Sequence, residues 1–285
     1  MRGIVRTVLL LCAIAVMLGQ SLPLEPPHEA GASITGAFEG WFRNPDGTFT
    51  LLLGYYNRNR NQDVDVPIGP NNRIEPGGPD RGQPTHFMPG RNWGMFSIKV
   101  PADFGTNKLT WTLVVNGQTT VIPANLKDVW EISPFQEASV GNTPPTIGFA
   151  ENGPTVQGPG VLTTERTAKV GIPLPLTVLA ADDMKFTSNS GARPKVMPPP
   201  VRLTWSLYRG PAPVTFSQSK PEVKKADRAS PAYNAAFSGT ATNTVTFSQP
   251  GEYILHVVAN DYSGDGGGGF QCCWTSAKVQ VTVGR

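Results

Sequence analysis

Two adjacent cysteines, Cys272 and Cys273, are the side chains of this sequence with the clearest capacity for covalent chemistry. Three states are open to them: a disulfide with each other, bonds to another molecule, or two thiols packed as small hydrophobic groups. Adjacent Cα atoms lie about 3.8 Å apart, below the roughly 4.4–6.8 Å of ordinary disulfides. A bridge between them would therefore be strained and readily reduced, and would make a rigid turn before the last predicted strand.

Aromatic side chains in the N-terminal half suggest a second kind of chemistry, the stacking of sugar rings on flat faces. The candidate ligand-binding residues are Trp41, Tyr56 and Trp93. The run at residues 57–61, Asn-Arg-Asn-Arg-Asn, could add hydrogen-bond donors, or could be a solvated turn. Trp111 and Tyr55 lie in alternating strands, so we expect them in the core.

Enzymatic chemistry has little support in the sequence. Beyond the N-terminal segment the histidines are His28, His86 and His256, and no HExxH, GxSxG or Cys/His nucleophile arrangement is present. Asp63 and Asp65 could act as a glycosidase pair, but carboxylates two positions apart on a strand are commonplace. We expect a protein that is not an enzyme, with no catalytic residues and no organic cofactor.

The composition indicates the kind of fold that positions these side chains. Gly (31) and Pro (28) are abundant among the 285 residues, and only 16% are charged. Frequent Gly and Pro exclude helix bundles and coiled coils, whereas 39% hydrophobic residues suffice for a core. The sequence therefore predicts an all-β fold of two β-sandwich domains in tandem.

The N-terminus has the pattern of a signal peptide, residues 1–21. Arg2 and Arg6 precede an apolar core at residues 8–18, and Gly19 and Ser21 are small residues before the cleavage point. We expect an exported protein, periplasmic or secreted, with no transmembrane anchor because no later apolar stretch is long enough. Removing both arginines and no acidic residue lowers the formal net charge from +3 to +1, which gives no support to nucleic-acid binding.

Strand and turn signals divide the remaining chain into domains at residues 32–140 and 144–285. In the first, Asn44-Pro45-Asp46-Gly47 predicts a hairpin between strands at 33–41 and 48–56, and Asn116-Gly117 predicts a type I′ hairpin. The segment 57–94 reads as long loops with one edge strand at 63–68. Residues 141–145 read as an extended, semi-stiff linker. The further predicted strands are 95–100, 108–115, 119–122, 174–180, 201–208, 243–247, 253–259 and 278–283.

The C-terminal half resembles an immunoglobulin-like domain of the PKD and cadherin-like kind found in exported bacterial proteins. The resemblance is carried by the segments "PPTIGFA", "IPLPLTVLAADD", "VRLTWSLYRG", "TNTVTFSQPGEYILHVVANDYSG" and "AKVQVTV". It implies that Trp205 is a core residue on the third strand and that Tyr253 makes a tyrosine corner at the start of the sixth. The PKD "DFGDG" element and the cadherin calcium motifs are missing, so the resemblance does not extend to either subfamily.

The resemblance also implies where acidic loop residues meet. In such a sandwich the B–C and F–G loops share one end, which gathers Asp182, Asp183, Asp261 and Asp265 near the linker. Oxygen ligands in flexible loops suit Ca²⁺, and calcium between domains is what a cadherin-like resemblance implies; alternatively, Asp is simply a favoured turn residue. The glycine-rich run at 264–269 reads as a flexible hairpin tip in the same loop.

Together these features favour an exported, non-enzymatic adhesion, assembly or structural protein of the cell envelope. The alternative is a carbohydrate-binding protein that uses the aromatic residues of the N-terminal domain. The expected partner is accordingly an envelope protein or a polysaccharide, and calcium is the one cofactor considered.

Overall fold

The computed structural model describes residues 27–138, 140–160, 162–185, 195–226, 233, 235–262 and 272–285. Over these ranges the protein is built from β-strands, with one short 3-10 turn at Asp128–Trp130 and no α-helix. The prediction of an all-β fold made of tandem sandwiches is confirmed. No helix in the described ranges is long and apolar enough to cross a membrane. The predicted signal peptide lies outside them.

The first sandwich encloses a core between two antiparallel three-stranded sheets. Its strands are β1 (Ile34–Arg43), β2 (Phe49–Asn57), β3 (Val64–Asp65), β4 (Asn72–Glu75), β5 (His86–Phe87), β6 (Gly90–Val100), β7 (Lys108–Val115) and β8 (Gln118–Asn125). The sheets are ordered β1-β2-β6 and β4-β7-β8, and β3 pairs with β5. The predicted core residues Tyr55 and Trp111 are 0% and 1% exposed, which confirms that part of the prediction.

Both predicted hairpins of the first sandwich are present, because their turn residues have the backbone conformations that the turns need. β1 pairs with β2 in antiparallel register, and the amide of Gly47 donates to the carbonyl of Asn44 at 3.0 Å. Asn116 and Gly117 join β7 to β8 with φ of 50° and 76°. Two consecutive positive φ values are what a type I′ turn requires.

The second sandwich consists of two facing β-sheets in the described part of the chain. Its strands are β9 (Thr146–Gly148), β10 (Thr155–Gln157), β11 (Thr163–Lys169), β12 (Leu174–Asp182), β13 (Arg202–Arg209), β14 (Val214–Phe216), β15 (Lys224–Lys225), β16 (Phe237–Phe247), β17 (Gly251–Asn260) and β18 (Trp274–Gly284). One sheet is ordered β10-β9-β12-β16-β14, with β15 also on β16, and the other β11-β18-β17-β13.

Two side chains have the surroundings that the resemblance implies for them. Trp205 on β13 is 2% exposed within the core of the second sandwich. The hydroxyl of Tyr253, near the start of β17, donates to the carbonyl of Gln249 at 2.9 Å. A tyrosine that bonds to the backbone a few residues upstream is the tyrosine corner of immunoglobulin-type sandwiches.

The two sandwiches dock through a sheet face that an isolated second sandwich would expose to water. Tyr208, His256 and Lys278, from β13, β17 and β18, cluster on this face, and the ring centroids of Tyr208 and His256 are 5.7 Å apart. His256 and Lys278 are opposite each other in the strand register, and the Lys278 Nζ lies 3.8 Å from the centroid of the Tyr208 ring. Tyr208 packs into the core cluster of the first sandwich. The face is therefore buried against the N-terminal half of the chain.

Polar and apolar contacts both hold this docking. The Arg209 guanidinium forms a two-point ion pair with Asp80, at 2.9 and 2.8 Å. Trp274 joins an apolar cluster with residues of the first sandwich, among them Phe42 and Leu52. The indole of Trp274 lies against Gly94, where a Cβ atom would overlap it. The two sandwiches therefore pack directly against each other and are not separated by an exposed linker.

The interpretation of residues 57–94 as loops with one edge strand is wrong in detail. Only Val64–Asp65 of the expected strand at 63–68 forms, whereas β4, inside this segment, pairs with β7 in the core sheet. Asn72 begins β4 fully buried, and its side-chain amide donates to the carbonyls of Val66 and Pro84 at 2.9 and 2.8 Å. A polar residue that looks like a loop signal is thus an internal hydrogen-bonding centre.

Candidate functional site

Three of the four predicted acidic residues meet at the junction of the sandwiches. Asp182 ends β12, Asp183 follows it, and Asp261 follows β17. Asn142, from the segment between the sandwiches, joins them: its side-chain amide donates to the Asp261 carboxylate at 2.6 Å. Asp265 lies outside the described residues. The rule that strand ends share one edge of a sandwich predicted the gathering of the acids, but not the part of Asn142.

Burial dominates the electrostatics of this junction. Asp182 is 2% exposed and accepts a hydrogen bond from the Met184 amide at 2.7 Å. Desolvation raises the pKa of Asp182 to about 7, and the neighbouring charges of Asp261 and Asp183 act in the same direction. Asp182 Oδ2 and Asn142 Oδ1 are buried, with no hydrogen-bond partner among the described residues. A proton on Asp182, or a bound cation, would give these buried oxygen atoms the partner that they lack.

The fit to calcium can be judged from the donor set. Within the described ranges no three His, Cys, Asp or Glu side chains are placed to share a metal ion. Asp183 already accepts hydrogen bonds from the backbone and hydroxyl of Thr143, at 3.2 and 3.0 Å, and from the Lys185 amide at 3.0 Å. These three aspartates therefore do not form a calcium cage by themselves. The calcium site stays a prediction that depends on Asp265.

A disulfide joins Cys272 and Cys273 at the same junction. Both cysteines are buried, and their sulfur atoms lie 3.8 and 3.4 Å from the backbone carbonyl oxygen of Asn142. The bridge lies directly before β18, where the sequence places a rigid turn. Of the three states open to the pair, the structure contains the vicinal bridge.

These contacts change the interpretation of residues 141–145, which the sequence predicts to be an extended spacer. Asn142 is fully buried, Thr143 is bonded to Asp183, and the hydroxyl of Thr275 donates to the carbonyl of Pro145. The segment is thus fixed along its length by the second sandwich. Its Pro residues extend the chain as expected, but it does not act as a free linker.

The three aromatic residues predicted to bind a ligand have different surroundings. Trp41 is 7% exposed, and its indole N–H donates to the Lys127 carbonyl at 2.8 Å, so its ring faces are packed in the core. Tyr56 is half-buried, with the Arg58 guanidinium 5.1 Å from its ring centroid. Trp93 is 41% exposed. Of the three, Trp93 presents the most open ring to a ligand.

The first three residues of the Asn/Arg run at 57–61 are neither exposed donors for a ligand nor a solvated turn. Asn57, Arg58 and Asn59 are 1%, 4% and 1% exposed. The Asn59 side chain bonds the backbone of Ala32 in both directions, at 2.6 and 3.1 Å. These amides stabilise the N-terminal edge of the first sandwich, which corrects both interpretations of the run.

The structure adds a cleft between the sandwiches that the sequence did not indicate. It has a volume of about 160 Å³, and its lining includes Trp93, Lys220, His256 and Trp274. His256 is 1% exposed, and its Nε2 has no hydrogen-bond partner in the described part of the chain. The alternation of β17 places His256 on the face opposite the core, but nothing local shows that another sandwich covers that face.

Comparison with known proteins adds little to this description. No family model matches the chain, and no curated protein does. Among solved structures, the D00–D0 domain of intimin is 15% identical with a TM-score of 0.24, covering 88% of this chain and 100% of that one. Domains 4 and 5 of the S-layer protein SbsC are 13% identical with a TM-score of 0.23, covering 89% and 98%. A protein of unknown function from Porphyromonas gingivalis W83 is 10% identical with a TM-score of 0.24, covering 88% and 100%. Likenesses this weak carry no argument about function.

Proposed function

We propose that this chain is an exported, non-enzymatic structural or adhesion protein of the cell envelope, in which two β-sandwiches act as one rigid body. The observation that carries the proposal is the docking of the second sandwich on the first. It combines the ion pair of Arg209 with Asp80, the packing of Trp274 against Gly94 and the burial of Tyr208. Packed contacts between two domains restrain the relative motion that tandem domains otherwise show, and so would hold a binding surface at a fixed angle.

The surroundings of the histidines support a role without catalysis. Both ring nitrogens of His86 are engaged, Nδ1 with Asp65 at 2.8 Å and Nε2 with Asp63 at 3.3 Å. Asp63 and Asp65 thus hold a structural histidine instead of facing each other across an open cleft. His256 is buried, and burial together with the charge of Lys278 lowers its pKa to about 3, far from the range of an effective general base at neutral pH.

A complementation experiment tests the proposal. Cells that lack the protein should lose envelope integrity or surface attachment, and the wild-type gene should restore it. Gly94→Leu, which forces a side chain into Trp274, should fail to restore it although the protein is exported. Gly90→Leu is the matched control, because Gly90 also has a positive φ but open space around its Cβ position. A deletion without any envelope or attachment defect would refute the proposal.

Carbohydrate binding is the second candidate, and the position of Trp93 favours it. An exposed indole at the mouth of a polar cleft is a common platform for a sugar ring. Retention of the full chain on insoluble polysaccharide, lost on Trp93→Ala, would support this candidate. Passage of the wild-type protein through every such matrix without retention would count against it.

A further inference from the structure

The cleft between the sandwiches combines a flat aromatic face with polar groups from the opposite domain. Trp93 comes from β6 of the first sandwich, whereas His256 comes from β17 of the second. The Arg91 guanidinium lies 3.8 Å from the centroid of the Trp93 ring and covers one of its faces. Because the Trp93 side chain is nevertheless 41% exposed, the opposite face is the one on which a ligand can stack. A ligand that stacks on this face lies between two domains whose relative position is fixed.

His256 gives the cleft an unused hydrogen-bonding group. Its Nε2 is buried, and within the described ranges no donor or acceptor contacts it. The imidazole of His256 lines the cleft, so a ligand that reaches the ring can exchange a hydrogen bond with it. Burial keeps the imidazole neutral, so one ring nitrogen can donate and the other accept, which matches a sugar hydroxyl.

The charges at the cleft do not cancel. Arg91 is paired with the buried carboxylate of Glu39 at 2.6 Å, and Glu39 also accepts a hydrogen bond from the Gly94 amide at 2.7 Å. Lys220 lines the cleft with an exposed side chain, and the described part of the chain offers its ammonium no ion pair. The cleft therefore carries one positive charge available to a ligand, and an acidic ligand is favoured over a neutral one.

We propose that this cleft binds one ring of an acidic polysaccharide. The sugar ring stacks on Trp93, a hydroxyl bonds to His256 and the carboxylate pairs with Lys220. The volume of about 160 Å³ is below the several hundred Å³ of sites for drug-sized ligands, so a single ring is held while the chain continues into solvent. The inference rests on the second candidate function and goes further, because it names the residues, the contribution of the second sandwich and the charge of the ligand.

Calorimetric titration of the full chain with oligogalacturonate and oligomannuronate tests the inference. A methyl-esterified oligogalacturonate is the matched uncharged probe, since it keeps the sugar and removes the carboxylate charge. We expect the acidic oligomer to bind more tightly than the ester by about three- to fivefold, with the difference lost on Lys220→Met. Trp93→Ala should weaken binding of both by about tenfold. Trp130→Ala is the control, because Trp130 is 44% exposed but does not line the cleft.

Each alternative result has a distinct meaning. Binding of the acidic oligomers that is unchanged in Trp93→Ala would overturn the proposed site and leave carbohydrate binding standing. Equal affinity for acid and ester would overturn the role of Lys220 and the acidic ligand. Absence of binding by the wild-type protein to all three probes would overturn the proposed site, whereas the second candidate function fails only if no insoluble polysaccharide retains the protein. Because Trp93 and Lys220 are exposed, their variants should fold normally, which circular dichroism checks.

Discussion

Gly94→Ala should destabilise the protein because it places a methyl group at the interface of the sandwiches. Gly94 has a φ of 54°, and a Cβ atom built there overlaps the Trp274 indole. A left-handed backbone costs a residue other than glycine about 1–2 kcal/mol. Forcing an extra carbon into a packed interface costs about 1–3 kcal/mol more. We therefore expect the free energy of unfolding to fall by about 2–5 kcal/mol, out of the roughly 5–15 kcal/mol of a typical domain.

Gly90→Ala separates the two contributions. Gly90 begins the same strand with a φ of 80°, and its Cβ position has no neighbour within 4 Å. Gly90→Ala should lower the free energy of unfolding only by the backbone cost of about 1–2 kcal/mol. The difference of about 1–3 kcal/mol between the variants measures the contact with Trp274. With an m value of about 3 kcal/mol/M, urea midpoints should differ by about 0.3–1 M.

A double-mutant cycle identifies the neighbour. Trp274→Leu removes the ring that a Cβ at position 94 would meet, so Gly94→Ala should cost less in that background than in the wild type. The coupling should equal the overpacking contribution of about 1–3 kcal/mol. Equal urea midpoints for Gly94→Ala and Gly90→Ala, together with no coupling to Trp274, would refute the docking on which the proposed function depends.

Four further predictions concern the tyrosine corner and the acidic junction. Tyr253→Phe removes the hydrogen bond to Gln249 and should lower the free energy of unfolding by about 0.5–1.5 kcal/mol, which urea denaturation would show; an unchanged midpoint would argue against the corner. Burial raises the pKa of Asp182 to about 7, above its unfolded value, so its contribution to stability should be largest below about pH 4 and decline as the pH rises to 7. Asp182→Asn should therefore lose this decline, and melting temperatures of both proteins at pH 5 and 7.5 check the sign. Cys272 and Cys273 should resist alkylation until a reductant is added, as intact-mass spectrometry would show; modification without reductant would indicate free thiols. The calcium hypothesis predicts a lower melting temperature in EDTA than in Ca²⁺, and identical melts would eliminate it.

The sequence predicted best those features that depend on neighbouring residues. Asn116-Gly117 specifies its turn locally, and the alternation of β17 identifies Tyr253 as inward-facing. The sequence does not predict β11, because its residues, Thr163–Lys169, are largely exposed and polar, and pair with β18 only at the edge of the sheet. No apolar alternation marks such a strand. Its place comes from pairing with a segment more than a hundred residues away, which local patterns do not encode.

The candidate sites likewise include features that strand topology predicts and features that depend on contacts between distant segments. The strand-end rule brought Asp182, Asp183 and Asp261 to one edge, since topology alone decides that. The sequence predicts Asn142 to be part of a spacer, yet its side chain donates to Asp261 and its carbonyl oxygen lies near the cysteine sulfurs. The cleft at Trp93 depends on docking between two sandwiches. Such docking follows from the shapes of whole faces and has no short sequence signal.

The cluster of Tyr208, His256 and Lys278 shows why the docking is a defined state of the molecule rather than a loose contact. In a separate second sandwich these side chains would face water, as their alternation predicts. In the docked protein, burial lowers the pKa of His256 to about 3 and that of Lys278 to about 8, so each holds its proton less tightly. This burial opposes docking, and it is tolerated because the Tyr208 ring lies against the Lys278 ammonium and Trp274 and Arg209 make specific contacts on either side. An association that was only nonspecific hydrophobic packing would leave such polar groups in water. Their burial therefore indicates a docked orientation fixed by particular residues, as a rigid two-sandwich module requires.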